Sequence, residues 1–545
     1  VAATRFSILT PVFDTPADVL AAMLKSVRGQ RFGDWELCLV DDCSTQPHVL
    51  AMVEEARSAD PRIRVLAREG NGGIVAASND ALAMATGEFV ALLDHDDTLH
   101  PDALSHVDAA LRAVPEADYA YTDEDKIDRG GHHASPFFKP DWSPERMRTQ
   151  MYTCHLSVLR RSLVEEVGGF DSDFEGSQDW DLVLRVTEQA RQVVHVPRVL
   201  YHWRTLETST AGGGEAAKPW AFDAGTRAIQ AHCERIGLPA RAERDEQWPG
   251  VYHLNPELER QPPVSIVIPT AGQAREVRYE TVTLVSHCVA SILATSTYEN
   301  YEIVCVFDSS TDPGTLAELR EIGGERLRLV EYDEPFNFSA KINRGAVHSG
   351  GEQLLLLNDD MEVIVPDWIE RMLMYSEVPE VGAVGGRLLL EDGRLQHAGI
   401  LFENGGYPGH IYHGFSGEFN GYSNNVLVAQ NYLAVTAACM MTSREAFEEV
   451  GGFSTTFPVN YNDMDYCLKL GASGLRVVYD PDTVLHHFES SSRSTEVEDW
   501  EKEQLLGRWL PRTVVDPSTN PHLRHGIPRL SSPFSWIRRR PRLRR

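Results

Sequence analysis

Short apolar runs alternate with stretches of helical periodicity along most of the chain. Phe6-Ser7-Ile8-Leu9-Thr10-Pro11-Val12-Phe13 is rich in strand formers and is stopped by Pro11, which marks a strand and its end. Val19, Leu20, Met23, Leu24 and Val27 recur at the spacing of one helix face, so a helix is predicted over 16–29. Trp35-Glu36-Leu37-Cys38-Leu39-Val40 predicts a second strand, ending in Asp41-Asp42. A helix to about 58, a strand at 63–66, a helix at 74–86 and a buried strand at Phe89-Val90-Ala91-Leu92-Leu93 follow. Further strands are predicted at 119–122, 155–159, 193–196 and 200–204, with helices at 162–167 and from about 182. Strands alternating with helices imply an α/β fold with a mostly parallel sheet, and ligands of such sheets gather at the carboxyl ends of the strands. Thr10-Pro11, Asp41-Asp42 and Asp94-His95-Asp96-Asp97 all stand at such ends.

In an extended backbone residues two apart point the same way, so Asp94 and Asp96 converge while His95 turns aside. Converging carboxylates suit a hard divalent cation such as Mg²⁺ or Mn²⁺, particularly one that also holds a diphosphate. An isolated Asp-x-Asp reads equally as a solvated turn. The layout, however, occurs twice. Pro263-Val264-Ser265-Ile266-Val267-Ile268-Pro269-Thr270 repeats the first strand, and Tyr301 to Asp308 repeats the second with its terminal Asp. Leu354-Leu355-Leu356-Leu357-Asn358-Asp359-Asp360 repeats the acidic turn, with Asn358 in the place of Asp94 and Asp360 in that of Asp96. Val450-Gly451-Gly452-Phe453 repeats Val167-Gly168-Gly169-Phe170, and Asn462-Asp463-Met464-Asp465 repeats Gln178-Asp179-Trp180-Asp181. Val484-Leu485-His486-His487-Phe488 is matched to Val199-Leu200-Tyr201-His202-Trp203. The offset grows from 258 at Pro11/Pro269 to 284 at Asp179/Asp463, which puts insertions in the second copy, mainly around 391–431.

At 545 residues the chain is long enough for two to four domains, and its composition is that of a globular protein. A net charge of −29 argues against nucleic-acid partners. Residues 522–545 hold eight Arg and no acid, leaving −37 on the remainder. That tail suits either an anionic membrane surface, at ~1 kcal/mol per basic residue, or a solubilising end. No apolar stretch approaches a membrane span, no secretory signal is visible at the start (which is not Met), and the eight scattered cysteines read as reduced core thiols. A cytoplasmic protein, peripheral to the inner membrane through its tail, is the expectation.

Taken together, these motifs resemble family 2 nucleotide-sugar glycosyltransferases of the GT-A fold. The first half, with Tyr121-Thr122-Asp123-Glu124-Asp125-Lys126, Phe138-Lys139-Pro140-Asp141-Trp142 and Leu200-Tyr201-His202-Trp203-Arg204, is similar to the tandem enzymes of O-antigen and other surface-polysaccharide clusters. The second half, with Leu395-Gln396-His397-Ala398-Gly399 and His486-His487-Phe488-Glu489, is similar to the rhamnosyltransferase-like branch. The resemblance implies two GT-A (Rossmann-like, mostly parallel sheet) domains in tandem at 1–210 and 263–493. A helical linker at 211–262 (helix from Trp220 to Ile236) and a C-terminal extension at 494–545 complete the chain. It further implies inverting transfer from a UDP-, dTDP- or GDP-linked sugar to an oligosaccharide or lipid-linked glycan, with Mn²⁺ or Mg²⁺. One active half beside a degenerate carbohydrate-binding half is the alternative. A dehydrogenase or P-loop enzyme lacks its motifs, since no GxGxxG follows the first strand and no Gly-Lys pair occurs.

Candidate roles follow. Asp179 and Asp463, at helix starts, are the candidate bases that activate an acceptor hydroxyl, and capping is their bland reading. Their neighbours Gln178 and Asn462 are amides where the family often has Glu, which relieves like-charge repulsion. Asp94, Asp96 and Asp360 are candidate metal ligands, with His202 in the first half and His486 (or His487) in the second. Thr10, Pro11, Asp41 and Asp42, and Pro269 and Asp308 in the second half, are expected to line the nucleotide pocket. Asp123 to Asp125 are read as a turn facing the donor sugar or solvent. Lys139 and Arg204 are read as surface charges, with phosphate contact as the alternative, and His397, His410 and His413 as surface residues of a Gly-rich loop.

Overall fold

The computed structural model describes residues 4–128, 130–205, 219–403, 405–489 and 497–528. The first half is built on a nine-stranded sheet. Its strands are β1 (Phe6–Val12), β2 (Trp35–Asp41), β3 (Ile63–Ala67), β4 (Phe89–Leu92), β5 (Thr98–Leu99), β6 (Ala117–Ile127), β7 (His133–Phe137), β8 (Ser157–Arg160) and β9 (Gln192–Arg204). Their order is β3-β2-β1-β4-β8-β6-β9-β5, with β7 beside β6. β1 to β4 are parallel, and β8 runs antiparallel between β4 and β6. Helices on both faces bury β1 and β2, which is why these strands read as continuous rather than alternating apolar runs.

The helix Pro219–Ile236 and the hairpin of β10 (Ala240–Arg244) and β11 (Tyr252–Pro256) connect the halves. The second half contains β12 (Val264–Thr270), a small hairpin of β13 (Ala274–Val277) and β14 (Glu280–Thr283), β15 (Tyr301–Asp308), β16 (Leu327–Tyr332), β17 (Gln353–Leu357) and β18 (Met361–Val363). It continues with β19 (Val381–Leu389), β20 (Leu395–His397), β21 (Ile400–Glu403), β22 (Tyr407–His410), β23 (Gln430–Tyr432), β24 (Cys439–Ser443) and β25 (Arg476–His487). The order β16-β15-β12-β17-β24-β19-β25-β18 repeats the first sheet strand for strand. β20 to β23 fill the stretch where insertions are expected, and the β13–β14 hairpin is a further one, since the first half passes directly from β1 to a helix at Ala17.

The halves pack as one body. A cluster of buried side chains runs from Tyr119 and Trp180 through Ile229, Tyr252 and Leu254 to Trp368 and Met372. Across the seam Arg476 pairs with the fully buried Glu145 at 3.1 Å, and Arg146 donates to Gln430 at 2.8 Å. After the helix Asp499–Thr513 the chain crosses back, and Asn520 donates to Asp123 at 3.0 Å. All eight cysteines are free thiols. No helix among the described residues is long and apolar enough to cross a membrane, and the Arg-rich tail beyond 528 lies outside them.

Several sequence expectations are corrected. Asp123, Glu124 and Asp125 are not a turn: they continue β6 and are buried, because each finds a partner there. Lys139 is fully buried and Arg204 nearly so. The segments 193–196 and 200–204 are one strand.

Candidate active site

The acidic turn closes the carboxyl end of β4, and carboxylate oxygens of Asp94, Asp96 and Asp97 lie within 4.8 Å of one another. They divide the work. Asp97 is fully buried and accepts from Tyr201 Oη and from the Arg204 amide, both at 2.6 Å, while Arg204 Nε donates to the Asp96 carbonyl at 2.8 Å. These contacts fasten the turn to β9. They leave Asp94, whose side chain is 46% exposed, and Asp96 to face outward.

β8 pairs antiparallel with β4, Ala91 opposite Val158, and that register continued past the strand ends sets His155 beside Asp94. His155 Nε2 stands 4.0 Å from Asp94, and the ring stacks on Tyr201 at 4.7 Å. Against the desolvation of burial, Glu124, which accepts from the His155 amide and ring, raises the imidazole to about 9, with Asp94 and Asp97 contributing. Lys139 Nζ in turn meets Glu124 at 3.4 Å and the carbonyls of Thr153, Cys154 and His155. Sequence reading missed His155, Glu124, Tyr201 and Lys139 as a group.

His202 does not join the acidic turn. On β9 Tyr201 and Trp203 face it, so His202 between them points the other way, where its Nδ1 meets Asp125 at 2.6 Å beside His133. The second half clarifies the point. β18 pairs with β25 so that Glu362 opposes His486 and Met361 opposes His487, while Thr98 opposes His202 in the first half. Since Asp94 matches Asn358, Thr98 matches Glu362, and His486 takes the place of His202. The sequence matching at 484–488 is therefore one residue out of register. His486 points away, toward the Leu390 carbonyl at 3.2 Å. His487, in the place of Trp203, meets Asp360 at 3.2 Å and Asn358 at 3.5 Å. At the place of His155, beside Asn358, stands Ala438, whose carbonyl accepts from the Asn358 amide. Each half thus turns one imidazole on the acidic turn, from different strands.

Asp179 lies in the first turn of the helix Gln178–Thr187. It is not the cap: Ser177 holds that position, and among the described residues Asp179 accepts only from the adjacent Trp180 amide at 2.9 Å. Asp463 occupies the same place in the helix Asn462–Ala472. Burial raises its carboxyl above the ordinary range, while the amides of Ala437 (3.2 Å) and Met464 (2.9 Å) oppose the shift. Asp463 and Asn358 line one recess of about 260 Å³, together with Phe338, Tyr461 and His410. His410 bonds to the fully buried His397 at 2.9 Å, and burial lowers the first to about 4 and the second well below the usual range. Neither is a surface residue.

At the ends of β1 and β2 the buried Thr10 Oγ1 and Asp41 Oδ1 have no hydrogen-bond partner among the described residues. Pro11 follows Thr10 on β1, as Pro269 does Ile268 on β12. Asp42 is differently placed: Arg68 pairs with it at 2.6 Å and the amides of Gly72 and Gly73 donate to it at 2.9 Å. Strand register matches Asp308 to Asp42, and Lys341 holds it at 2.6 Å. Phe307 then stands where the first half has Asp41.

A tandem α/β protein with an acidic turn, an imidazole and a helix-start carboxylate at the same sheet edge of both halves is the class that fold and site define. The family model described as glycosyl transferase family 2 matches residues 7–168 and again 265–451. The chain belongs to that family. It is 40% identical to the protein y4gI of Sinorhizobium fredii over 95% of this chain and 57% of that one. It is 39% identical to the O-antigen biosynthesis protein RfbC of Myxococcus xanthus over 95% of this chain and 40% of that one. The chain thus spans about half the length of these two relatives. The crystal structure of S. aureus TarS residues 1–349 with UDP-GlcNAc is 22% identical, with a TM-score of 0.36, over 42% of this chain and 66% of that one.

Proposed function

We propose that the chain is a tandem, inverting, divalent-metal-dependent glycosyltransferase that adds sugars to a growing cell-surface polysaccharide or lipid-linked glycan. The observation that carries this reading is the shared recess of Asp463 and Asn358, with Asp179 at the same place in the matching helix of the first half. The M. xanthus relative, an O-antigen biosynthesis protein by name, supports the polysaccharide context.

In this reading Asp179 and Asp463 each take the proton of an acceptor hydroxyl. Burial helps at Asp463, because a carboxylate raised toward the working pH is the better base. One base and direct displacement invert the anomeric carbon. The unpartnered Thr10 Oγ1 and Asp41 Oδ1 are a donor and an acceptor for the base of the nucleotide. Pro11, and Pro269 with Thr270 in the second half, line the same edge. Asp42 and Asp308, held by Arg68 and Lys341, shape that edge rather than touch the ligand. The oxygen-rich set of Asp94 and Asp96 fits Mg²⁺ or Mn²⁺, and Asp360 with His487 fits Mn²⁺ better. When bound, the cation supplies positive charge for the departing diphosphate. A cytoplasmic site of action, with the Arg-rich tail against an anionic membrane, completes the proposal.

The alternative, a second half that binds glycan without transferring sugar, draws on Asn358 in place of Asp94 and Phe307 in place of Asp41. Release of nucleoside diphosphate from UDP-, dTDP- and GDP-sugars, with Mn²⁺ and Mg²⁺, separates the readings. Two donors are expected, one lost in Asp179→Asn and the other in Asp463→Asn. No release from any donor would sink the transferase reading.

A further inference from the structure

A cleft of about 1050 Å³ opens beside the second acidic turn, and the His413 ring on its lining lies 6.4 Å from the His410 ring of the recess that holds Asp463, so the two adjoin. It begins one residue past His487. Phe488, whose amide donates to the Asp360 carbonyl at 2.9 Å, and Glu489 form one wall. A second wall is the β13–β14 hairpin, which the first half lacks, and Leu390 to Asp392, Arg394, His413 and Gly414 form a third. The hairpin leans on β18, at the opposite sheet edge from β15 and Asp308. The cleft therefore lies across the acidic turn from the strands expected to carry the nucleotide.

The hairpin tip is under local strain. Val277 pairs with Glu280, so Arg278 and Tyr279 are the whole loop, with φ of 48° and 71°. Two-residue turns of this kind are normally filled by Asn-Gly, because bulky residues avoid positive φ. Here an Arg and a Tyr occupy them, and Tyr279 is left 95% exposed at the cleft mouth. The tip is nonetheless fixed. Val277 packs with Leu284 and Phe488, Arg278 pairs with Glu362 at 2.5 Å, and Arg275 donates to the Glu489 carbonyl at 2.7 Å. A rigid, strained turn that presents an aromatic ring to solvent points to a ligand.

The charges lining the cleft identify that ligand. Arg275 is paired with Glu391 at 3.4 Å and Arg394 with Asp392 at 2.6 Å, so the guanidinium groups are already neutralised by carboxylates. A phosphate or uronate would meet those carboxylates. Sugar hydroxyls, which donate and accept, suit such a lining, and the Tyr279 face suits an apolar sugar face. We propose that this cleft is the acceptor subsite of the second half and takes a neutral oligosaccharide, with Tyr279 as its stacking platform. The proposal rests on the transferase reading of that half.

The full chain is tested on an array of neutral, uronate-bearing and phosphate-bearing oligosaccharides. Wild-type protein is expected to retain neutral glycans. Replacing Arg278→Asn and Tyr279→Gly together gives the turn its preferred residues, so Tm holds or rises while glycan signal falls at least about fivefold. Tyr279→Phe keeps the ring and is expected to stay within about twofold of wild type. Retention of charged glycans only, no retention at all, or an unchanged signal in the double variant overturns the proposal. Nucleoside-diphosphate release by the same wild-type preparation tells the two readings apart. Release without glycan retention sinks the cleft alone, and retention without release sinks the transferase reading.

Discussion

The two halves place the same kind of group at the same point from different parts of the backbone. In the first, His155 reaches the acidic turn from the approach to β8, and Trp203 on β9 packs against it at 5.5 Å. In the second, His487 on β25 does so, and Ala438 leaves the other approach open. The turn differs in step: Asp94 against Asn358, and the sealed Asp97 against the apolar Met361. Two strands border each turn, so an imidazole on either can face it. What a repeated fold holds constant is the place where chemistry converges, and the residue supplying it can move between strands. The price of the first arrangement is a buried cation, Lys139, set beneath Glu124 and His155.

The largest expected effects test whether both halves work. Asp179→Asn and Asp463→Asn are each expected to lower kcat of one donor reaction by about 10²–10⁴-fold and leave the other alone. If either change silenced both reactions, the halves would form one site and the comparison would fail. Metal titration sharpens it next. His487→Ala is expected to raise the Mn²⁺ concentration for half-maximal second-half activity about 10–100-fold, and His155→Ala to do nothing there. Joining Ala438→His to His487→Trp transplants the first arrangement and is expected to restore much of the loss. Failure to restore would show that strand of origin matters.

How much of this was legible in the sequence follows from which signals are local. The apolar runs of β1, β2, β4 and their repeats, and the helices between them, stand where periodicity puts them. Asp123 to Asp125 did not, because three consecutive carboxylates look like a turn unless their cations are known. Those partners, Lys139 and the imidazoles of His133, His195 and His202, are scattered over separations of 8 to 77 residues with no fixed spacing. A hint was present nevertheless: acids inside a strand of Tyr119, Tyr121 and Ile127 demand buried partners, and Lys139 and Arg204 stand next to apolar aromatics. The slip at 484–488 arose because Tyr-His-Trp and His-His-Phe match about equally well in either register. Only pairing to β5 and β18 decides it.

The seam between the halves offers a smaller effect. Glu145 is fully buried in the first half, and Arg476 of the second and Arg148 of the first neutralise it. Arg476→Met is expected to cost about 2 kcal/mol in chemical denaturation, since one charged partner remains. A loss near zero would mean that the halves meet with no electrostatic coupling there.

The last effect ties the connector to the second half through pH. His253 on β11 bridges Asp245 of the connector and Asp482 of the second half, each at 2.9 Å. Arg371 approaches Asp482 at 3.7 Å, and Asp480 beside it is pushed up to about 6, mainly by burial. Against the desolvation of burial, the two carboxylates that flank His253 raise it to about 9. Below about 6.5 both the folded and the unfolded chain hold this proton, and the bridge contributes in full. Between about 6.5 and 9 the unfolded chain has lost the proton and the folded one keeps it, so stability falls as pH rises, by at most about 3 kcal/mol. Asp480 acts in the same sense but lower on the scale: its folded carboxyl binds a proton more readily than the unfolded one, so stability falls as pH rises between about 4 and 6 and is flat above. The slope above pH 6.5 is therefore the one to assign to His253. His253→Gln is expected to flatten it in urea titrations at pH 7 and 9, whereas a slope unchanged by the substitution would place the pH dependence elsewhere and leave the connector's hold on the second half uncharged.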